Sequence, residues 1–240
     1  MNPTLSIVIP VYNEEKIITS SLPPIFDLAI PKEVIVINDG SSDRTGVILS
    51  ELQTKYDFKL INQPINRGKG AAIRRGLEEI NGDYFIICDA DAEYEAADIA
   101  MMFEEIKKSA TEIGAAENSP INPEKSALYG SRFLDKPGLS FHRLVNGFLT
   151  VLTNILFNSR LTDMETCFKM IPTAALKEIK LSGERFEIEP IITTQLLKNG
   201  YVIKEVPIGY SRRGYKDGKK ISPRDGLIAV STLFRERFKR

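Results

Sequence analysis

One stretch constrains this chain more than any other: the apolar run Tyr84-Phe85-Ile86-Ile87-Cys88 gives way at once to Asp89-Ala90-Asp91-Ala92-Glu93. An unbroken short run of aromatic and β-branched residues predicts a strand buried on both faces, as parallel sheets require. Side chains alternate along an extended backbone, so Asp89, Asp91 and Glu93 would share one side if that geometry continued past Cys88. Carboxylates crowded on one side repel one another unless a cation sits among them. A hard divalent ion with oxygen ligands, Mg2+ or Mn2+, suits such a set and can bridge to phosphate oxygens. The carboxyl end of a parallel strand is also where open α/β sheets take their ligands. A solvated acidic loop is the plainer reading of an isolated Asp-x-Asp; the buried strand directly before it favours the metal.

The same strand-then-polar-turn pattern repeats along the N-terminal part of the chain. Leu5 to Pro10 predicts a strand, followed by Val11-Tyr12-Asn13-Glu14-Glu15 and a helix ending before Pro31, with Asn13 as its cap and Glu14 and Glu15 at its positive end. Val34 to Ile37 predicts a second strand running into Asn38-Asp39-Gly40-Ser41-Ser42-Asp43. There Gly40 allows a tight turn and the Ser/Asp cluster caps a helix reaching Tyr56. Phe58 to Asn62 is a third strand, after which Asn66-Arg67-Gly68-Lys69-Gly70 opens a helix reaching Ile80. Glycines on either side of Lys69 would let backbone N–H groups and an ammonium approach an anion, although Gly-Lys-Gly also serves as a plain flexible start to a helix. Strand and helix alternate four times in the first 95 residues, which predicts an α/β fold around a mostly parallel sheet. Each motif then lies at the carboxyl end of a strand, and their convergence is the argument for function.

A helix is expected from Ala96 to Ile113, then a polar loop from Gly114 to Lys125 and a strand, Ala127 to Gly130, ending at Ser131-Arg132-Phe133. Arg132 either pairs with surface acids or clamps a phosphate. Between Leu139 and Leu161 the helical spacing of Leu144, Phe148, Leu152, Ile155 and Leu156, with Arg143 near the start, predicts core packing. The alternative is an interfacial helix that receives a lipid-borne substrate. Thr162-Asp163-Met164-Glu165-Thr166-Cys167-Phe168-Lys169 leads into an apolar strand, with a short helix after Pro172, a helix to Lys198 and a strand from Tyr201 to Val206. Tyr210 to Ser222 carries five cations in thirteen residues, a composition suited to a loop that closes over phosphates or to a solvated basic loop. From Asp225 a helix with an apolar face and a basic end suits docking at an anionic membrane surface, or packing on the domain.

Composition sets few further bounds. With 240 residues, 42% hydrophobic and 27% charged, the chain reads as one ordinary globular domain. Lys plus Arg and Asp plus Glu are both 32, so net charge says nothing about partners, though Pro207 to Arg240 holds ten cations against three acids; nucleic acid is not among the expected partners. Cys88 and Cys167 lack metal-ligand spacing and read as core residues in a reducing compartment. One His and no Trp argue against a His-based triad or a zinc site. Neither a signal peptide nor a run long enough to span a bilayer is expected, which points to the cytoplasm, with peripheral contact at the cytoplasmic membrane face.

In order and spacing, several motifs resemble the inverting GT-A glycosyltransferases of family 2, and within them the dolichyl-phosphate mannose and glucose synthase group. They are Val8-Ile9-Pro10-Val11-Tyr12-Asn13-Glu14, Asn38-Asp39-Gly40-Ser41-Ser42-Asp43, Asn66-Arg67-Gly68-Lys69-Gly70, Asp89-Ala90-Asp91, Tyr129-Gly130-Ser131-Arg132-Phe133, Asp163 through Lys169 and Gly218-Lys219-Lys220-Ile221. The resemblance implies a single GT-A domain over 1–240, with a nucleotide-binding half (1–95), an acceptor-binding half (96–221) and a C-terminal amphipathic basic helix (222–240). It implies that Pro10, Tyr12 and Glu14 hold base and ribose of a nucleotide-sugar donor, that Asp39 reads the base edge, and that Lys69, Arg213 and Lys220 attend the diphosphate. Asp89 and Asp91 match the metal-binding Asp-x-Asp; Glu93 stands where many relatives carry Gln. Arg132, and with it Arg143, would face an acceptor phosphate. Asn38 replaces the first Asp of the family's Asp-Asp-Gly-Ser pattern.

The implied reaction moves a hexose from a UDP- or GDP-linked donor to a polyprenyl phosphate such as dolichyl or undecaprenyl phosphate. A saccharide or other hydroxyl acceptor would need a general base, for which Asp163 is the candidate. A nucleotidyltransferase is the alternative from another class, against which stands Pro10-Val11-Tyr12-Asn13 where its Gly-rich loop would be. A non-catalytic nucleotide-sugar binding protein is the third.

Overall fold

A computed structural model of the protein describes residues 3–115, 125–134, 141–211 and 223–239, with side chains for all of these but 110–115, 141–143 and 223. The expected polar loop from Gly114 to Lys125 and the basic loop around Arg213 and Lys220 lie largely outside the described residues, and so does the Arg143 side chain. The N-terminal half runs β1 (Leu5–Val11), α1 (Ile18–Ser21), α2 (Pro23–Phe26), β2 (Lys32–Asn38), α3 (Thr45–Gln53), β3 (Lys59–Asn62), α4 (Lys69–Leu77) and β4 (Tyr84–Ile87). It continues through α5 (Ala96–Ala115), β5 (Ser126–Ser131), α6 (Phe141–Phe157), β6 (Lys169–Pro172), α7 (Ile188–Lys198), β7 (Val202–Pro207) and α8 (Pro223–Phe238).

Among the described residues seven strands form one sheet in the order β3-β2-β1-β4-β6-β5-β7. The pairs β1–β2, β1–β4, β2–β3 and β5–β7 are parallel, while β6 is antiparallel to both β4 and β5. β6 therefore joins the two parallel groups and brings the segment before Lys169 back to the rim where β4 ends. Alternation along β1 explains why the sheet is buried on both sides: Ile7 and Ile9 belong to the core on one face and Val8 to the core on the other, all fully buried.

Local chemistry departs from expectation at three places. The helix expected before Pro31 is broken into α1 and α2 at Pro23-Pro24; Leu22 between them keeps helical backbone, but the prolines supply no N–H to continue the helical ladder. Asn13 caps neither; it adopts φ 49° in the loop before them. The α6 stripe is only partly core: Leu149 is buried, but Leu144, Phe148, Val151 and Ile155 are 57%, 60%, 55% and 73% exposed. Their spacing of four, three and four residues draws one apolar line along the outer side of the helix. A small separate core of Leu149, Leu161, Met164, Ala229 and Leu233 packs α6 against α8. Among the described residues no helix is long and apolar enough to cross a membrane.

Candidate active site

The carboxyl ends of β1, β2 and β4 and the start of α4 make one rim. β1 and β2 run in register to Val11 and Asn38, and the pairing carries on one step as the Asp39 N–H donates to the Val11 carbonyl at 2.8 Å. The two loops that follow are laced together. Asn13 N–H donates to Ser41 Oγ (3.0 Å), Ser42 N–H to Asn13 Oδ1 (2.8 Å), Glu14 N–H to Thr45 Oγ1 (2.9 Å) and Arg44 N–H to Glu15 Oε2 (2.9 Å). Asn13, Glu15, Ser41 and Ser42 are thus loop staples rather than helix caps, while Asp43 Oδ1 accepts the N–H of Thr45 in the first turn of α3 at 2.9 Å. Pro10, Tyr12 and Glu14 stand half-buried on this rigid edge.

Asp39 is 2% exposed, and its carboxylate accepts the N–H groups of Arg67 (2.9 Å) and Gly68 (2.8 Å) and the Gln63 amide (3.1 Å). It fixes the turn into α4. Burial pushes its carboxyl up, and those backbone donors pull it back. Gly68 has φ +93°, and a Cβ there would lie 2.3 Å from the Glu184 carbonyl oxygen; one on Gly70 would lie 2.8 Å from that of Gly183. The Ala71 N–H donates to the same Glu184 carbonyl at 3.2 Å. These glycines serve close packing against the segment before α7, and that carbonyl satisfies part of the first turn that an anion would have used.

Lys69 projects from α4 to the end of β4. Its ammonium lies 2.8 Å from Asp89 Oδ1 and 2.9 Å from Glu189 Oε1. Glu189, on α7, also pairs with the fully buried Lys169, whose ammonium donates to the Thr166 carbonyl at 2.6 Å. Burial alone would raise the Glu189 carboxyl; the Lys169 and Lys69 ammoniums more than offset it and hold it low.

β4 ends at Ile87 and the backbone turns at once, with Ala92 at φ 57°. The extended alternation expected past Cys88 is lost, and among the described residues no three acidic, Cys or His side chains are grouped to hold an ion. Glu93 instead accepts the Tyr210 hydroxyl at 2.6 Å, and its carbonyl accepts the Ser211 N–H at 2.8 Å, so it tethers the chain beyond β7. Glu93 stays beside Asp91, its N–H donating to Asp91 Oδ1 at 3.1 Å, while its carboxylate is engaged by Tyr210. Burial first, then the Asp89 and Glu93 charges, push the Asp91 carboxyl up to about 7. The Lys69 ammonium offsets only part of this crowding, and a hard divalent ion such as Mg2+ or Mn2+, which takes oxygen donors, would relieve the rest. The donor pair fits the metal.

Across β6 from this rim, Arg132 and Asp163 form a closed fork: Nε to Oδ2 at 2.7 Å, Nη2 to Oδ1 at 2.8 Å, and the Arg132 N–H to Oδ2 at 3.0 Å. Asp163 is 0% exposed. Glu205 on β7 accepts the N–H groups of Thr162 (2.7 Å) and Asp163 (2.9 Å) and so anchors the fork from behind. The Arg132 guanidinium lies 5.2 Å from the Tyr210 ring centre and 5.3 Å from that of Phe133. Both Asp163 oxygens are thus engaged by the Arg132 guanidinium, and the carboxylate is away from solvent.

Glu189, Lys169, Glu205 and Tyr210 were not singled out from sequence. A Glu in the first turn of a helix reads as a partner for the helix dipole. Only its place in the apolar run Ile188-Glu189-Pro190-Ile191-Ile192 hinted at burial.

The mixed α/β sheet, with Asp89, Asp91 and Lys69 at its carboxyl rim, has the GT-A fold of the glycosyltransferase structures it resembles. The family model Glycosyl transferase family 2 matches residues 6–179, and the chain belongs to that family. It is 27% identical over 237 residues to a dolichyl-phosphate beta-glucosyltransferase of Saccharomyces cerevisiae, covering 91% of this chain and 69% of that protein. It is 34% identical over 127 residues to a poly-beta-1,6-N-acetyl-D-glucosamine synthase of Staphylococcus epidermidis, covering 52% of this chain but only 31% of that one. Among solved structures, a glucosyl-3-phosphoglycerate synthase from Mycobacterium tuberculosis in complex with Mn2+, UDP and phosphoglyceric acid shares the fold. It gives a TM-score of 0.68 at 17% identity, covering 99% of this chain and 79% of that chain.

Proposed function

We propose that the protein is a metal-dependent inverting hexosyltransferase that moves a hexose from a UDP- or GDP-linked donor to a polyprenyl phosphate. Family membership removes the nucleotidyltransferase reading. The observation that carries the acceptor is the fork between Arg132 and Asp163. With Asp163 committed, a hydroxyl acceptor lacks its expected base, whereas a phosphate is already an anionic nucleophile and needs only to be held. The dolichyl-phosphate beta-glucosyltransferase likeness, which runs nearly the whole chain, supports the same choice. So does the exposed apolar line of Leu144, Phe148, Val151 and Ile155, which suits a peripheral seat on an anionic membrane where a polyprenyl chain lies.

In this reading Pro10, Tyr12 and Glu14 hold base and ribose, and Asp39 acts by fixing the Arg67-Gly68 turn. Asp89 and Asp91 would hold the divalent ion, which when bound offsets charge on the departing diphosphate. Lys69, together with Arg213 and Lys220, adds positive charge there. Arg132 keeps guanidinium donors beyond those bound to Asp163 and orients the acceptor phosphate, with Arg143 as a second cation. A phosphate oxygen forms the new bond to the anomeric carbon as the bond to the diphosphate oxygen breaks on the opposite face, which inverts the centre.

The test is a panel of UDP- and GDP-hexoses offered with polyprenyl phosphate in detergent, with Mn2+, Mg2+ or EDTA. Formation of an acid-labile lipid-linked hexose that EDTA abolishes supports the proposal. Transfer to hydroxyl acceptors only, or no turnover of any donor, contradicts it.

A further inference from the structure

Lys69 stands between two carboxylates at nearly equal distances, Asp89 at 2.8 Å and Glu189 at 2.9 Å. Only one of the two belongs to the expected metal pair. Glu189 sits on a different element, α7, and is held there independently of Lys69 by the buried Lys169. The start of α4 is pinned against the segment before α7 through Gly68, Gly70 and the Glu184 carbonyl, so the backbone carrying Lys69 and that carrying Glu189 are fixed relative to each other. A lysine is a compact charge on a long jointed stem, suited to changing partners without moving its helix. Its side chain is 13% exposed and that of Asp89 is 25% exposed, so the pair faces the rim rather than the deep core.

From this juxtaposition we propose that Lys69 is an exchangeable counterion: it occupies Asp89 when no metal is bound and is displaced from it by the divalent cation. It then keeps Glu189 as its resting partner and turns its remaining N–H donors to the donor diphosphate. The inference rests on the metal-assisted reading above and adds an order to it. The cation must compete with an ammonium for Asp89, so metal binds weakly alone and tightly with nucleotide, because the diphosphate gives Lys69 somewhere to go. Glu189 is a positioning residue in this scheme; without it the displaced ammonium would be stranded in a half-buried site.

The test is a calorimetric titration of the full chain with Mn2+, backed by the free-ion paramagnetic resonance signal, for wild type, Lys69→Met and Lys69→Met/Asp89→Asn. Removing the competitor should tighten Mn2+ binding in the absence of nucleotide by about five- to tenfold, the worth of one partly exposed ion pair. The second substitution should abolish that gain, which assigns it to Asp89. In the presence of saturating Mn2+ the same Lys69→Met protein should bind UDP or GDP more weakly than wild type. Opposite movements of metal and nucleotide affinity would not come from a merely structural lysine. Mn2+ affinity unchanged or weakened by Lys69→Met overturns the exchange while leaving the metal-assisted reading intact. Failure of wild type to bind Mn2+, with or without nucleotide, overturns both.

Discussion

Glu205 on β7 accepts the backbone N–H of Asp163 at 2.9 Å, and Asp163 in turn holds Arg132 in a two-pronged pair. A residue of the last strand therefore sets where the guanidinium beside β5 points. Breaking one half of a buried ion pair strands the other, which typically costs about 3 kcal/mol or more. Asp163→Asn should lower stability by roughly that amount and reduce transfer with any acceptor. Chemical denaturation of the two proteins measures it. Arg132→Lys should not restore activity, because a point charge cannot reproduce the fork.

Glu165 supplies a pH dependence of defined sign. Burial, its largest influence, pushes its carboxyl up to about 7 despite Lys169 nearby, and Oε1 has no hydrogen-bond partner. A carboxyl whose folded value lies above its unfolded value binds its proton more tightly when folded, so stability falls as pH rises between about 4.5 and 7. Glu165→Gln should melt like wild type at pH 4 and above it at pH 8, by an amount equivalent to about 1–3 kcal/mol. Scanning calorimetry at both values decides it.

The glycines at the start of α4 are predicted to be unequal to others. Gly68→Ala combines positive φ with a 2.3 Å approach to the Glu184 carbonyl, and should cost about 2 kcal/mol or more while displacing Lys69. Gly226→Ala in α8 meets nothing within 4 Å and should stabilise by about 0.5–1 kcal/mol. Thermal melts of the pair make the comparison.

Phe148 and Ile155 are 60% and 73% exposed, so replacing both by Ser should leave the melting temperature within a degree or two. Sedimentation with anionic phospholipid vesicles should fall several-fold if the α6 line is the membrane seat. Undiminished sedimentation would remove it from that role.

How much of this was legible depended on the physics behind each signal. Apolar runs between polar turns gave β1, β2 and β4 nearly to the residue, because burial on both faces leaves an unmistakable run. The antiparallel direction of β6 was not readable, since hydrophobic patterning carries no sense of direction. The break at Pro23-Pro24 had its signal in the prolines themselves. At the candidate site, the positions of Asp89 and Asp91 after a strand and of Lys69 at a helix start were legible from their sequence context. The turn before Glu93 was not readable, because Ala92, not a glycine, takes the positive φ there. Glu189 escaped because its two lysines come from α4 and β6, and only the folded chain brings them together.

The central claim, that Asp89 and Asp91 bind a divalent ion which receives the donor diphosphate, is tested most directly by titrating the protein with UDP and GDP in Mn2+ and in EDTA. The account predicts that one nucleoside diphosphate binds at least tenfold more tightly with Mn2+, and that Asp91→Asn removes this difference without unfolding the chain. Equal affinity in Mn2+ and EDTA, or a metal effect that survives Asp91→Asn, would contradict it.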